Sequence, residues 1–396
     1  MFVKSLFNLM ADTQASDLFF TAGSPVQIKI KGDLVPVDAN ILDAATLKRI
    51  TYEAMSEEQI AQFEREMEIN FSLVEQGVGS FRVNVFRQRG ACAMVIRHIK
   101  VNVPTIEELQ LPELLTEIVT EKRGLVLVVG STGSGKSSTL AAMINHRNRT
   151  QSGHILTIED PIEFMYRHAK SIVNQREIGI DTRSYHNALV NAMREAPDVI
   201  LIGECRDRET FGAALQYAQT GHLCLSTVHA NNSYYALNRV INLYPHDSRD
   251  SLLMDLSVSL KAIISQRLVH DVNGDIVPAV EIMLNTKHIQ ELIKNGDFDQ
   301  IKDAMEQSLA PGSQTFEQAL FRLYSAGRIT LEEAMGNADS PTNLHWLINN
   351  AARGTYTPTA SATTPANSPG SSAPASRPAA SQGDLSSIKL NLDALG

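Results

Sequence analysis

GSTGSGKSS, residues 130–138, decides how this chain reads. It fits G-x-x-x-x-G-K-[ST] at every fixed position, follows the apolar run RGLVLVVG and opens the helical pattern SGKSSTLAAMINHRN. A phosphate-binding loop needs that strand-to-helix context. Gly130, Gly133 and Gly135 let the main chain curl so that successive N–H groups, those of Ser131, Thr132, Ser134 and Ser138 among them, point at phosphate oxygens. The helix N-terminus adds its partial positive charge. In such a loop Lys136 reaches the β- and γ-phosphates of ATP, and the Ser137 hydroxyl ligates Mg²⁺.

Three more short apolar runs follow: GHILTIED, PDVILIGE and GHLCLSTVH. Helical stretches separate most of them, the pattern of buried parallel strands in an α/β fold. One of these stretches, DRETFGAALQYAQTG, opens with Asp207 as a cap and closes at Gly221. In an open parallel sheet, ligands lie at the carboxyl ends of the strands. The second run delivers Glu159, Asp160 and, past Pro161, Glu163 to that edge; the third delivers Glu204; the fourth Ser226, Thr227 and His229. Glu163 is displaced far enough to act as base on the attacking water. Glu204 fits the end-of-strand metal position, and His229 can donate to the γ-phosphate. Glu159 and Asp160 either join this chemistry or only cap and orient. His222, at the start of its strand, is either a satisfied core histidine or part of the site. Phosphoryl transfer also needs positive charge on its transition state. Arg82, Arg87, Arg89 and Arg97 on a hairpin of the first domain, and Arg194 and Arg206 beside the third run, are the candidates.

The 396 residues suffice for two domains with full cores. Residues 1–99 read as a smaller α+β domain. KSLFNLMADTQAS is helical in pattern, DLFFTAG and PVQIKIKGDLVPV are strands, Asp43 to Met67 is helical, and GSFRVNVFRQRG pairs with CAMVIRHI. Residues 100–113 carry two prolines and read as a linker, 114–353 as the nucleotide domain. From about Asp255 to Trp346 the pattern is mainly helical, with one strand near IVPAVEIML. Residues 354–396 are rich in Thr, Ala, Ser and Pro and bury too little apolar area to order themselves; Leu385, Ile388, Leu392 and Leu395 near the end have helical spacing. Cys92, Cys205 and Cys224 form no metal or disulfide pattern, and a reducing cytoplasm fits. No apolar run approaches a membrane span or a signal peptide. The net charge of −9 and few aromatics argue against a nucleic-acid motor.

GSTGSGKSS, TIEDPIEF, LIGECRD and STVHANN, in this order and spacing, resemble the Walker A, Asp box, atypical Walker B and His box of secretion ATPases. With DLFFTAGSPVQIKIKGDL in the first domain, the chain is similar to the PilT/PilU family of type IV pilus retraction ATPases over about residues 1–350. The resemblance implies a PAS-like first domain, a RecA-like P-loop core and a cytoplasmic homo-hexamer peripheral to the inner face of the inner membrane. It implies Glu163 as catalytic glutamate, Glu204 as Walker B acid, His222 and His229 as the His-box pair, and Arg82 and Arg97 as arginines supplied by the first domain. Its implied partners are a PilT-like retraction ATPase and an inner-membrane platform protein. HIQELIKNGD (288–297) stands where the principal motor of the family carries an AIRNLIRE-type segment, and the stretch that follows resembles the accessory, PilU-like branch. Two functions are therefore expected: an ATP-driven motor for pilus retraction and twitching motility, or a nucleotide-binding scaffold that reinforces PilT with its own hydrolysis dispensable. The chain lacks the four-cysteine site of assembly ATPases, which argues against pilus extension.

Overall fold

The structure, a computed structural model, describes residues 2–30, 32–99 and 102–352. The tail read over 354–396 lies outside them. Among the described residues two compact units form, one of residues up to Asn102 together with Glu163–Met165, the other of the remainder from Val103.

The first unit runs α1 (Phe2–Asp12), β1 (Asp17–Thr21), β2 (Gln27–Ile30), β3 (Asp33–Pro36), α2 (Ala44–Glu53), α3 (Glu57–Glu66), β4 (Glu68–Glu75), β5 (Gly79–Gln88) and β6 (Ala91–Ile99). Its strands form one antiparallel sheet in the order β3-β2-β1-β6-β5-β4. Leu6, Phe7 and Met10 on α1 are buried with Leu18, Phe20, Ile28, Val83 and Ile96 from the sheet. The β5–β6 turn places Arg89 (φ 50°) and Gly90 (φ 80°) in the left-handed region that a two-residue hairpin loop requires. The helical stretch expected over Asp43–Met67 is two helices. Ser56 accepts from Gln59 N while the Gln59 side chain accepts from Ser56 N, a capping box that starts α3 afresh.

The second unit runs α4 (Leu114–Thr120), β7 (Gly124–Val129), α5 (Lys136–Thr150), β8 (Gly153–Glu159), β9 (Ser171–Glu177), α6 (Tyr185–Ala192), β10 (Val199–Ile202), α7 (Arg208–Gln219), β11 (Leu223–Val228), α8 (Ser233–Asn242), α9 (Arg249–Ser259), β12 (Leu260–His270) and β13 (Ile276–Leu284). Five helices close it: α10 (Lys287–Asn295), α11 (Ile301–Glu306), α12 (Phe316–Ser325), α13 (Leu331–Asn337) and α14 (Pro341–Ala352). The sheet order is β13-β12-β7-β11-β10-β8-β9. Every neighbouring pair is parallel except β12–β13. β7 and β11 are buried along their whole length, which explains their unbroken apolar sequences.

Three readings of the sequence change. β12 is a strand inside the region expected to be mainly helical. LKAIISQRLVH is buried on both faces for most of its length, so it shows no period-two alternation. β9 escaped notice because SIVNQRE is a polar edge strand with little apolar signal. The stretch 100–113 is no free tether beyond Val103: Ile106 and Leu111 are buried against Leu115, Ile118 and Val119.

Candidate functional site

Register brings the strand ends together. Val129 of β7 lies opposite Val228 of β11, Ser226 of β11 opposite Ile202 of β10, and Ile202 opposite Ile158 of β8. The four apolar runs therefore stop at one edge of the sheet.

The loop after β7 is shaped by its glycines. Gly133 (φ 81°) and Gly135 (φ 89°) take the left-handed conformation, and a Cβ on Gly135 would stand 2.7 Å from Gln266 Nε2. Gly135 caps α5 with no side chain, so the first-turn N–H groups are left for an outside acceptor. Lys136 is buried, and its Nζ donates to Gly130 O at 3.0 Å and Ser131 O at 2.7 Å. Ser134 Oγ is buried with no hydrogen-bond partner. Ser131, Thr132 and Gly133 are exposed, and Ser137 and Ser138 are half-buried in the first turn of α5. A loop with open N–H groups, a buried ammonium and an orphaned hydroxyl suits a polyphosphate.

Beside it, Glu204 accepts from Arg206 Nε at 2.7 Å through Oε2, and its Oε1 lies 3.2 Å from His229 Nε2. That hydrogen bond to Glu204 raises the Arg206 guanidinium further above its ordinary range. Glu159 Oε1 accepts from Thr157 Oγ1 at 2.6 Å and Gln175 Nε2 at 3.3 Å. Tyr185 belongs here too. Burial, and then Asp160 with Glu159 and Glu204, push its phenol well up, against the opposing pull of Arg206. Gly203 leaves the Tyr185 hydroxyl a close approach, since a Cβ there would stand 3.2 Å from it.

Glu163 is exposed. The residue before it is fixed: Ile162 N donates to buried Glu177 at 3.2 Å, and Tyr166 N donates to Gln175 at 2.9 Å. β9 thus clamps the chain on both sides of Glu163. His222 lies at the opposite end of β11 from His229. Its Nδ1 is 3.2 Å from Tyr217 O and 3.2 Å from Thr220 Oγ1, partners in the turn just before β11. Arg194 is hydrogen-bonded to Asn191. In the first unit, Arg82 and Arg97 stand directly opposite one another on β5 and β6. Arg97 Nε donates to buried Asp17 at 2.8 Å, and Arg87 pairs with Glu64.

The sequence reading missed Gln266, Tyr185, Glu177 and Gln175. Gln266 is buried on β12, touches the phosphate loop at Gly135 and accepts from Thr139 Oγ1 at 2.5 Å. A region read as helix gave no reason to aim it at that loop. All three cysteines are buried, and burial pushes the Cys205 thiol up to about 12, so none is a nucleophile. Among the described residues no group of three His, Cys, Asp or Glu side chains is placed to hold a metal, and no helix is long and apolar enough to cross a membrane.

The type IV pilus ATPase PilU of Pseudomonas aeruginosa is 46% identical over 346 residues, spanning 87% of this chain and 91% of that protein. The type IV pilus retraction ATPase PilT of the same organism is 40% identical over 343 residues, 87% of this chain and 100% of its own. Among solved structures, the pilus retraction motor PilT with bound ADP superposes with a TM-score of 0.80 at 40% identity, covering 86% of this chain and 99% of that one. The Legionella pneumophila ATPase DotB superposes at 0.69 with 25% identity, covering 84% and 94%. A family model described as type II/IV secretion system protein matches residues 1–336. The phosphate loop, the acids at the sheet edge and these likenesses agree: the chain belongs to the type II/IV secretion system protein family.

Proposed function

We propose that this chain is a PilU-like ATPase of type IV pilus retraction and twitching motility. The Glu204–His229 contact, at the same sheet edge as the phosphate loop, carries the reading. Both pilus relatives quoted above are named as ATPases.

In this reading the N–H groups of residues 131–138 bind the ATP phosphates, and Lys136 exchanges its carbonyl partners for the β- and γ-oxygens. Glu163 takes a proton from the attacking water, and Glu177 and Gln175 hold its segment in place. His229 donates to the γ-phosphate while Glu204 orients its ring. Ser137 and Glu204 would hold Mg²⁺, which would supply charge neutralisation for the phosphoryl transfer. Glu204 has one partner on each oxygen, Arg206 on Oε2 and His229 on Oε1, and each oxygen keeps a further lone pair that would be open to the metal. Arg82 and Arg97 offer positive charge from the first unit. The working form is a cytoplasmic homo-hexamer at the inner face of the inner membrane, acting with a PilT-like ATPase on a platform protein.

Lys136→Ala should abolish turnover, and Glu163→Gln should keep nucleotide binding while slowing turnover by on the order of 10²-fold or more. Steady-state ATPase assays with a fluorescent-nucleotide titration read both. Full turnover in Lys136→Ala would end the reading; full turnover in Glu163→Gln would remove only the base assignment.

The segment His288–Asp297 motivates the second reading, a scaffold whose hydrolysis is dispensable. Its first eight residues lie in the amphipathic α10, with Ile289, Leu292 and Ile293 buried and His288, Glu291, Lys294 and Asn295 exposed. A piliated strain bearing Lys136→Ala that retracts with full force would favour the scaffold.

A further inference from the structure

β12 sends three successive side chains to three different places. Ser265 Oγ donates to buried Glu281 at 3.0 Å, Gln266 accepts from Thr139 beneath the phosphate loop, and Arg267 reaches out of the sheet. The Arg267 guanidinium donates to Asn337 O at 2.6 Å and Asn231 O at 3.2 Å and pairs with Asp339. Its plane is held by the buried Phe316 ring, 4.0 Å from the guanidinium carbon to the ring centroid. Asp339 in turn accepts from Asn232 Nδ2 at 2.7 Å. The loop that follows His229 is thereby tied at Asn231 and Asn232 to the junction between α13 and α14. It is tied again one residue on, where Ser233 N and Oγ both donate to Glu281 at 2.8 Å.

We infer that Arg267, with Asp339, is a positioning residue for ATP turnover: it clamps the Asn231–Asn232 turn to the C-terminal helices and so fixes His229 against Glu204. The inference rests on the assignment of His229 and Glu204 to the reaction. Neither Arg267 nor Asp339 touches the phosphate loop through any of these bonds, so nucleotide binding is a separate quantity from the one they control. The clamp is also rigid by construction. A planar guanidinium with a ring on its face and two carbonyls and a carboxylate at its edges has few other poses, and a lysine could not reproduce it. Misplacing a reacting group by about 1 Å can cost on the order of 10²-fold in rate. The same clamp runs in reverse: movement of the His229 loop is passed to α13 and α14, the last helices described.

The test compares Arg267→Ala, Asp339→Ala, His229→Ala and the Arg267→Ala/His229→Ala double variant in the full chain. The expected result is a fall in kcat of roughly tenfold or more in both clamp variants, with the KM for ATP and the affinity for a fluorescent nucleotide within about threefold of the parent. In the double variant the expected kcat is that of His229→Ala alone, because a residue acting only through His229 has nothing left to act on. A purely structural role would not produce that non-additivity. Unchanged kcat in both clamp variants alongside an impaired His229→Ala overturns the clamp and leaves the site intact, as does multiplication of the two losses. Unimpaired His229→Ala overturns the site assignment, and the clamp with it. If Arg267→Ala does not fold, Asp339→Ala and its combination with His229→Ala carry the same comparison.

Discussion

Nε2 of His229 lies 3.2 Å from Oε1 of Glu204, across two loops that leave neighbouring parallel strands. The carboxylate ties the end of β11 to the end of β10 and fixes which way the ring faces. His229→Ala should therefore lower ATP turnover by on the order of 10²-fold, the usual cost of removing one donor aimed at developing charge. Nucleotide affinity should change much less. Steady-state turnover beside a binding titration tests this, and equal turnover in parent and variant would remove His229 from the reaction.

Gly135 combines a left-handed backbone with a crowded approach. Its φ is 89°, and an added Cβ would meet Gln266 Nε2 at 2.7 Å. Gly135→Ala should cost about 1–3 kcal/mol of stability from the backbone alone and weaken nucleotide binding by displacing the first turn of α5. Chemical denaturation and nucleotide titration measure the two effects. A variant as stable as the parent would show that the loop relaxes freely.

Thr139 and Gln266 form a buried hydrogen-bonded pair, with Thr139 fully inaccessible. Gln266→Leu should cost about 1–3 kcal/mol, because the hydroxyl is then buried without a partner. Adding Thr139→Val should recover part of that loss, since two apolar groups leave nothing unsatisfied. Strictly additive denaturation free energies in the double-mutant cycle would contradict the pairing.

Glu281 is buried, and burial holds its carboxyl above the ordinary value of 4.5, against donors from Ser233 and Ser265. The folded state keeps this proton to a higher pH than the unfolded chain does. Between 4.5 and the raised folded value the native state binds more protons, so this group's contribution to stability falls as pH rises. The neutral variant Glu281→Gln lacks that slope. Its melting temperature relative to the parent should rise as the pH is raised from 4.5. A difference that is flat, or that falls, would contradict the sign.

The phosphate loop and its strand were legible because GSTGSGKSS and GLVLVV obey local rules: glycines for curl, and an unbroken apolar run for a strand buried on both sides. Asp207 was legible as a cap for the same reason, and its side chain does accept from Thr210 N. What escaped depends on distant partners. Gln266 is a polar residue in an apolar stretch, and only the pairing of β12 with β7 explains its direction. Tyr185 opens a helix like any aromatic, and only the fold brings its hydroxyl against Gly203, where an added Cβ would stand 3.2 Å away. His222 and His229 were already separated in the sequence, one at the start and one at the end of the same run. β11, Leu223–Val228, lies between them as that reading has it.

The strand that opens into the phosphate loop sits between β11 and β12, and β12 follows it by more than half of the second unit. During synthesis β7 therefore waits with one flank bare until residues beyond Leu260 have emerged, a contact of long sequence separation and slow closure. A nascent or truncated chain that stops before Leu260 has the whole Gly-rich motif but lacks Gln266 to brace it. Possession of the motif is then a poor guide to competence, and fragments for biophysical work need to run past His270 to keep the floor of the loop.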